Sequence, residues 1–348
     1  MIQSRWTESS RLCDNGNMRF PGGLWRVFSL ELILATAGLI APASARCAPE
    51  YAHDPQIIRE GAWYYLFSTG QGIPVSRSRD LAHWEILAPV FTTTPAWTRE
   101  EVPGFAGNMW APSISRQGDT YYLYYSVSTF GSNASCIGLA TNATLDPSLP
   151  STRWVDRGMV VSSKPGRDDW NAIDAGLAAD DGGGWHLTFG SFWTGIKQIA
   201  VDPRTGKSLR DPPDVISIAR RPSTLDDAIE APFVFARGGV YYLFVSFDHC
   251  CRGAQSDYKI AVGRSRRIEG PYADRDGVPM LDGGGTIVLQ GSGDLHGPGH
   301  CSVLQDAGRD LLVHHAYDGR RGGVAVLQIR PISWTEDGWP AVGEPIGN

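Results

Sequence analysis

One short pattern returns five times along the chain: a Gly or Asp turn, then aromatic and β-branched residues in alternation. It appears as Gly61-Ala62-Trp63-Tyr64-Tyr65-Leu66-Phe67 and as Gly118-Asp119-Thr120-Tyr121-Tyr122-Leu123-Tyr124. It returns as Gly184-Trp185-His186-Leu187-Thr188-Phe189 and Gly239-Val240-Tyr241-Tyr242-Leu243-Phe244, with a degenerate fifth copy at Gly308-Arg309-Asp310-Leu311-Leu312-Val313. Anchored on Tyr64, Tyr121, Trp185, Tyr241 and Leu311, the copies lie 57, 64, 56 and 70 residues apart, room for a four-stranded sheet and its loops. Five such units around an axis make an all-β, five-bladed β-propeller, which leaves only short, protected edges. No window sustains a 3.6-residue apolar period. The 41 Gly, 23 Pro, 12 Trp and 12 Tyr suit many short strands and tight turns. The adjacent tyrosines sit mid-strand and are expected to pack between blades.

The first 45 residues read differently. Val27 to Ile40 is nearly all apolar, Arg19 and Arg26 precede it, and Ala43-Ser44-Ala45 follows with small-x-small spacing. Together these predict a signal peptide over 1–45, with Met18 as a possible true start, and a single catalytic domain over 46–348. A secreted or periplasmic protein with no membrane segment in its mature form is expected. Lipid attachment at Cys47 is the weaker alternative, because Arg46 is a poor neighbour for that processing. The formal charge is −6, and no segment concentrates basic residues, which argues against nucleic-acid binding. A monomer is expected. Cys47, Cys136, Cys250, Cys251 and Cys301 follow the leader, and Cys250-Cys251 is open to two readings, a vicinal disulfide or two buried thiols. Asn133-Ala134-Ser135 and Asn142-Ala143-Thr144 have the spacing of glycosylation acceptors.

Ten or eleven residues before each anchor stand Asp54, Trp110 or Ala111, Asp174, Glu230 and His300. If the units repeat one topology, these residues occupy equivalent places on the innermost strands and converge on the axis. Each alone has a bland reading: Asp-Pro as a turn, Asp174 or Glu230 as a hydrogen-bonded structural acid, His300 as a loop residue. Three acids on one channel repel each other, which is hard to explain as structure and reads as a site.

Paired carboxylates suit glycosidic bond cleavage, one protonating the leaving oxygen while the other activates water or attacks carbon. Glu230, on the longer side chain and followed by Ala231-Pro232-Phe233, is the candidate general acid. Asp54 is the candidate general base, and Asp174 is expected to tune and orient the acid, the three titrating as a coupled set. Sugars present apolar faces and hydroxyl edges. Trp110, Phe130 and Trp193 are therefore candidate platforms, and Gly131, Asn171, Ile173 and Ser191 candidate polar or close-approach contacts.

At these residues the chain resembles glycoside hydrolase family 43, specifically the endo-1,5-α-L-arabinanases, over residues 49–345. The resemblance rests on His53-Asp54-Pro55, Asn108-Met109-Trp110-Ala111-Pro112, Phe130-Gly131-Ser132-Asn133, Ile137-Gly138-Leu139-Ala140-Thr141-Asn142 and Asn171-Ala172-Ile173-Asp174. It continues through Gly190-Ser191-Phe192-Trp193, Glu230-Ala231-Pro232-Phe233, Phe247-Asp248-His249-Cys250-Cys251-Arg252-Gly253 and Gly297-Pro298-Gly299-His300. It implies a five-bladed propeller that inverts configuration, with Asp54, Asp174 and Glu230 as base, pKa modulator and acid. It also implies that His300 helps hold a hydrated cation, usually calcium, and that arabinan and arabino-oligosaccharides are the partners. Cys301 stands where the family commonly has Asn, Ala175 where it has Pro, and Cys136 where it has a small residue. Two alternatives stay open: an exo-acting arabinofuranosidase or β-xylosidase of the same fold, and a non-catalytic sugar-binding propeller.

Overall fold

The computed structural model describes residues 51–346; the leader expected over 1–45 lies outside them. Five antiparallel sheets follow one another along the chain, and one short strand, Gly70–Gln71, crosses from the first stretch to pair with the second sheet. Their innermost strands are Gln56–Glu60, Asn108–Gln117, Gly176–Ala179, Ile229–Arg237 and Leu295–Asp306. These five touch in sequence, each its neighbour, and the last touches the first, which closes a ring. The fold is the expected five-bladed propeller.

The repeated aromatic pattern forms the second strand of every blade: Trp63–Phe67, Thr120–Val127, Trp185–Phe189, Val240–Phe247 and Arg309–Asp318. Each is joined to its inner strand by a tight hairpin. Gly238 and Gly239 both take positive φ (59° and 69°), the geometry of a turn whose twist matches the strands it connects.

Each of the five interfaces between blades has its own apolar core. Residues of blades one and two form one cluster, two and three the next, and so on to a cluster joining Ile57, Tyr64 and Leu66 to Leu304, Leu311 and Val313. Because strand side chains alternate faces, the paired tyrosines serve both interfaces of a blade. Tyr64 packs toward blade five and Tyr65 toward blade two; Tyr241 packs toward blade three and Tyr242 toward blade five. Every central strand is buried on both faces, which is why the pattern is apolar at nearly every position.

Among the described residues no strand is exchanged between the first and last blades, so side chains carry much of the closure. Arg59 and Tyr64 of blade one both bond Asp306 of blade five, at 2.5 and 2.9 Å, and the Ala52 N–H reaches the Ala325 carbonyl at 3.1 Å. Among the described residues no helix is long and apolar enough to cross a membrane.

Candidate active site

One backbone feature recurs on, or two residues before, each of the five inner strands. Asp54, Ala111, Asp174, Ala231 and His300 have φ of 49°, 47°, 61°, 55° and 50°. A left-handed conformation is costly for residues with a Cβ and persists only where the surroundings enforce it. Here the enforcing group comes from the preceding blade. The N–H of Ala111 donates to Thr69 Oγ1 (2.8 Å), that of Asp174 to Ser126 Oγ (2.9 Å) and that of His300 to Ser246 Oγ (2.8 Å). At the ring closure His315 takes the hydroxyl's place, its Nδ1 accepting from the Asp54 N–H at 3.2 Å. The pairing register slips beside three of these residues, in blades two, four and five, where a bulge turns the side chain inward.

Of the two residues the sequence left open in blade two, Ala111 is the equivalent of Asp54. The alignment is corrected at one place: Ala231, not Glu230, holds that position in blade four. Glu230 reaches the site from one residue earlier, and the Ala231 N–H donates to Asp174 Oδ2 at 3.2 Å.

All three carboxylates are buried, with 8, 7 and 8% exposure for Asp54, Asp174 and Glu230. Their surroundings set them apart. Burial alone would raise the Asp54 pKa, but His53, His300 and His315 overcome it and hold the group well below the ordinary carboxylate range. Asp54 Oδ1 lies 2.9 Å from His53 Nδ1 and 3.1 Å from His300 Nδ1, and Oδ2 accepts from Thr69 Oγ1 at 2.5 Å. Asp174 is raised well above its usual value by burial and by the charges of Glu230 and Asp54. Glu230 is also raised, burial first and Asp54 adding to it, against two hydroxyls that favour its anion. Those hydroxyls are Ser191, 2.6 Å from Oε2, and Tyr258, 2.6 Å from Oε1. Asp54 is thus kept ionised while the Asp174–Glu230 pair retains a proton where an exposed carboxyl has lost it. One fixed anion and one held proton are what acid–base cleavage requires.

Several contributors carried no role in the sequence reading. Tyr258 reaches Glu230 only because residue 299 is glycine: a Cβ there would sit 1.9 Å from the Tyr258 ring. Tyr317 OH lies 2.9 Å from His53 Nε2 and accepts the Cys251 N–H at 2.7 Å. The Cys250–Cys251 pair is bridged as a vicinal disulfide, with Cys251 Sγ 3.8 Å from the same His53 nitrogen. Burial opposes a charge on His53, but the Asp54 carboxylate beside Nδ1 outweighs it and raises the His53 pKa, so the ring favours its protonated form. Thr69, Ser126 and Ser246 had a usable signal, since each stands five residues after its tyrosine anchor.

The substrate-contact candidates separate. Phe130 is 84% exposed, next to Gly131 at φ 76°, and Trp110 and Trp193 are half-buried. Asn171 and Ile173 are buried in the loop leading to Asp174. Ser191, a candidate sugar contact, also donates its hydroxyl to Glu230 and so orients that carboxyl. The two acceptor-like asparagines are buried, 5% exposed at Asn133 and 3% at Asn142, and offer no amide to a glycan. Cys136 and Cys301 are buried free thiols, their pKa values raised by burial, which makes them unreactive.

His300 offers one position to a cation. Its Nδ1 faces Asp54, and burial lowers its pKa, so the ring is neutral with Nε2 unengaged by protein among the described residues. A metal-bound histidine is held by a carboxylate in the same way. Calcium takes six to eight oxygen ligands. Beside this nitrogen the site brings further imidazoles and an already engaged carboxylate, so waters must supply the rest of the sphere.

Against known sequences, the profile of glycosyl hydrolases family 43 matches residues 48–340. The chain belongs to that family. It is 42% identical over 312 residues to the extracellular exo-α-(1→5)-L-arabinofuranosidase ArbA of Cellvibrio japonicus, covering 87% of this chain and 90% of the relative. It is 42% identical over 316 residues to the extracellular endo-α-(1→5)-L-arabinanase 1 of Bacillus subtilis, covering 88% and 94%. Of solved structures, the Cellvibrio cellulosa α-L-arabinanase complexed with arabinohexaose superposes with a TM-score of 0.80 at 42% identity, covering 84% and 95%. The family 43 chain therefore shares its fold and most of its length with enzymes of both endo and exo description.

Proposed function

We propose that this family 43 protein is a secreted, inverting glycoside hydrolase that cleaves internal α-1,5-L-arabinofuranosidic bonds in arabinan. The observation that carries the reading is the set of three buried carboxylates: Asp54 is held as an anion beside three imidazoles, and the Asp174–Glu230 pair retains a proton. Glu230 gives its proton to the leaving oxygen, and Ser191 and Tyr258 then stabilise the carboxylate left behind. Asp54 takes a proton from the water that attacks the anomeric carbon from the opposite face, which inverts configuration. Asp174 and Glu230 titrate as a coupled pair, so Asp174 tunes how tightly the acid keeps its proton. The non-catalytic alternative has no use for three repelling acids.

The arabinan substrate rests on the names of the relatives, as does export. Endo action is favoured by Phe130, whose exposed ring offers a platform to a chain extending past the acids. A hydrated cation on His300 would supply positive charge beside those acids, and no step of this chemistry passes through it.

Linear arabinan is the test. The endo reading expects viscosity to fall rapidly, well before reducing ends accumulate, with short oligosaccharides as products. Release of monosaccharide alone from an undiminished polymer would instead make the enzyme exo-acting. Repeating the assay after exhaustive chelation reads the cation: a slower rate with the fold intact is expected, and an unchanged rate would leave His300 as a partner of Asp54 only.

A further inference from the structure

Away from the acids, a cavity of about 500 Å³ lies where blade three meets blade four, lined among others by Asp169, Trp170, Lys197, Ser217 and Arg220 of blade three and Asp282 of blade four. Lys197 is the unusual member. Only 4% of it is exposed, yet its ammonium group is fixed in the wall, donating to the Thr194 carbonyl and to Ser217 Oγ, each at 2.8 Å. An ammonium has three donors, so one N–H remains for an oxygen that enters the cavity. Burying such a group without use costs stability.

The lining chemistry narrows the ligand. Two acids, Asp169 and Asp282, balance two bases, Lys197 and Arg220, so neither an anion nor a cation is favoured. Trp170, Val215 and Leu281 add apolar wall to this mixture of donors and acceptors. A neutral, polyhydroxylated ring with an apolar face and a hydroxyl edge matches it. Position agrees: Trp170 precedes Asn171 and Thr194 follows Trp193, in two loops tied by the Thr194 N–H to the Asp169 carbonyl at 3.1 Å. These loops are at the same end of the blade as Asp174 and Ser191.

We propose that this cavity is a second carbohydrate-binding site, which grips a neutral sugar unit of the polymer on the same face as the catalytic acids. It rests on the arabinan-hydrolase reading above. Its use follows from tethering, since a chain held at one point is presented to the acids at a raised local concentration.

The test uses the full-length Glu230→Gln enzyme, titrated calorimetrically with linear α-1,5-arabinohexaose. Two binding events are expected, and adding Ser217→Trp, at an exposed residue whose new indole plugs the cavity, should remove one. Arg220→Ala should weaken the same event about tenfold, the loss of one or two hydrogen bonds to a sugar. In the active enzyme, Ser217→Trp should raise the ratio of polymer KM to short-oligosaccharide KM about fivefold, the order expected from losing a modest tether. A single event unaffected by either substitution, with an unchanged KM ratio, overturns the second site and leaves the catalytic reading standing. No binding of the oligosaccharide at all overturns both.

Discussion

Glu230→Gln is expected to lower kcat/KM on linear arabinan by about 10²–10⁴-fold, the contribution of a positioned general acid. The substitution suits the site. The amide is nearly isosteric, and its oxygen and nitrogen can still meet the Ser191 and Tyr258 hydroxyls that hold the carboxylate at 2.6 Å. It also removes a buried acid from the neighbourhood of Asp54 and Asp174, so the protein should melt no lower than the parent. The acid role has its own signature. A nitrophenyl arabinofuranoside has a leaving group that departs without protonation, so the loss on it should shrink to about tenfold or less. An equal loss on both substrates would remove Glu230 from the acid role.

Asp54→Asn should cost a similar factor, about 10²–10⁴-fold, but on every substrate alike, because the base acts on water and not on the leaving group. It should also destabilise the fold. The Asp54 carboxylate accepts from Thr69, His53 and His300. An amide nitrogen cannot accept, and it would confront donors already in place, at a cost of about 1–3 kcal/mol. The dependence on pH follows from the lowered pKa. A carboxylate with its folded pKa below its unfolded value of about 3.9 contributes stability above pH 4 and loses it as pH falls toward the folded value. The parent should therefore lose part of its stability in acid, and the Asp54→Asn variant should lack that part. Equal acid sensitivity in both, measured by thermal melting from pH 3 to 7, would mean that the histidines do not hold an anion at Asp54.

Much of this was legible in the sequence, for a physical reason. A propeller blade has no core of its own, so its second strand must be apolar on both faces. Five copies of Tyr-Tyr-Leu-like strands announce five sheets. Asp54, Asp174 and His300 were legible because each stands ten or eleven residues before its anchor, and they share one backbone conformation. Glu230 was placed in the site but not at the right register, since the alignment gives its place to Ala231 and no residue spacing reveals a bulge. Tyr258, His315 and Tyr317 were missed because their meaning arises across blades. Tyr258 acts on Glu230 through a gap left by Gly299 of the next blade, and Tyr317 joins blade five to His53 and Cys251. The sequence left Cys250-Cys251 open between thiols and a bridge, and it gave Ser191 no part in orienting Glu230 because no local signal ties a serine to a glutamate 39 residues away.

Burial and mutual repulsion keep a proton on the Asp174–Glu230 pair while Asp54 stays ionised. The pH profile of kcat/KM for Asp174→Asn beside the parent tests it most directly. In the parent, Asp54 must be ionised, so the acid limb should lie below the ordinary carboxylate range. Glu230 must be protonated, so activity should fall as pH rises through its raised pKa. Replacing Asp174 leaves Glu230 without the partner that competes for the shared proton, which should move the alkaline limb to lower pH and leave the acid limb in place. An alkaline limb that stays where it was, or moves upward, would contradict the account.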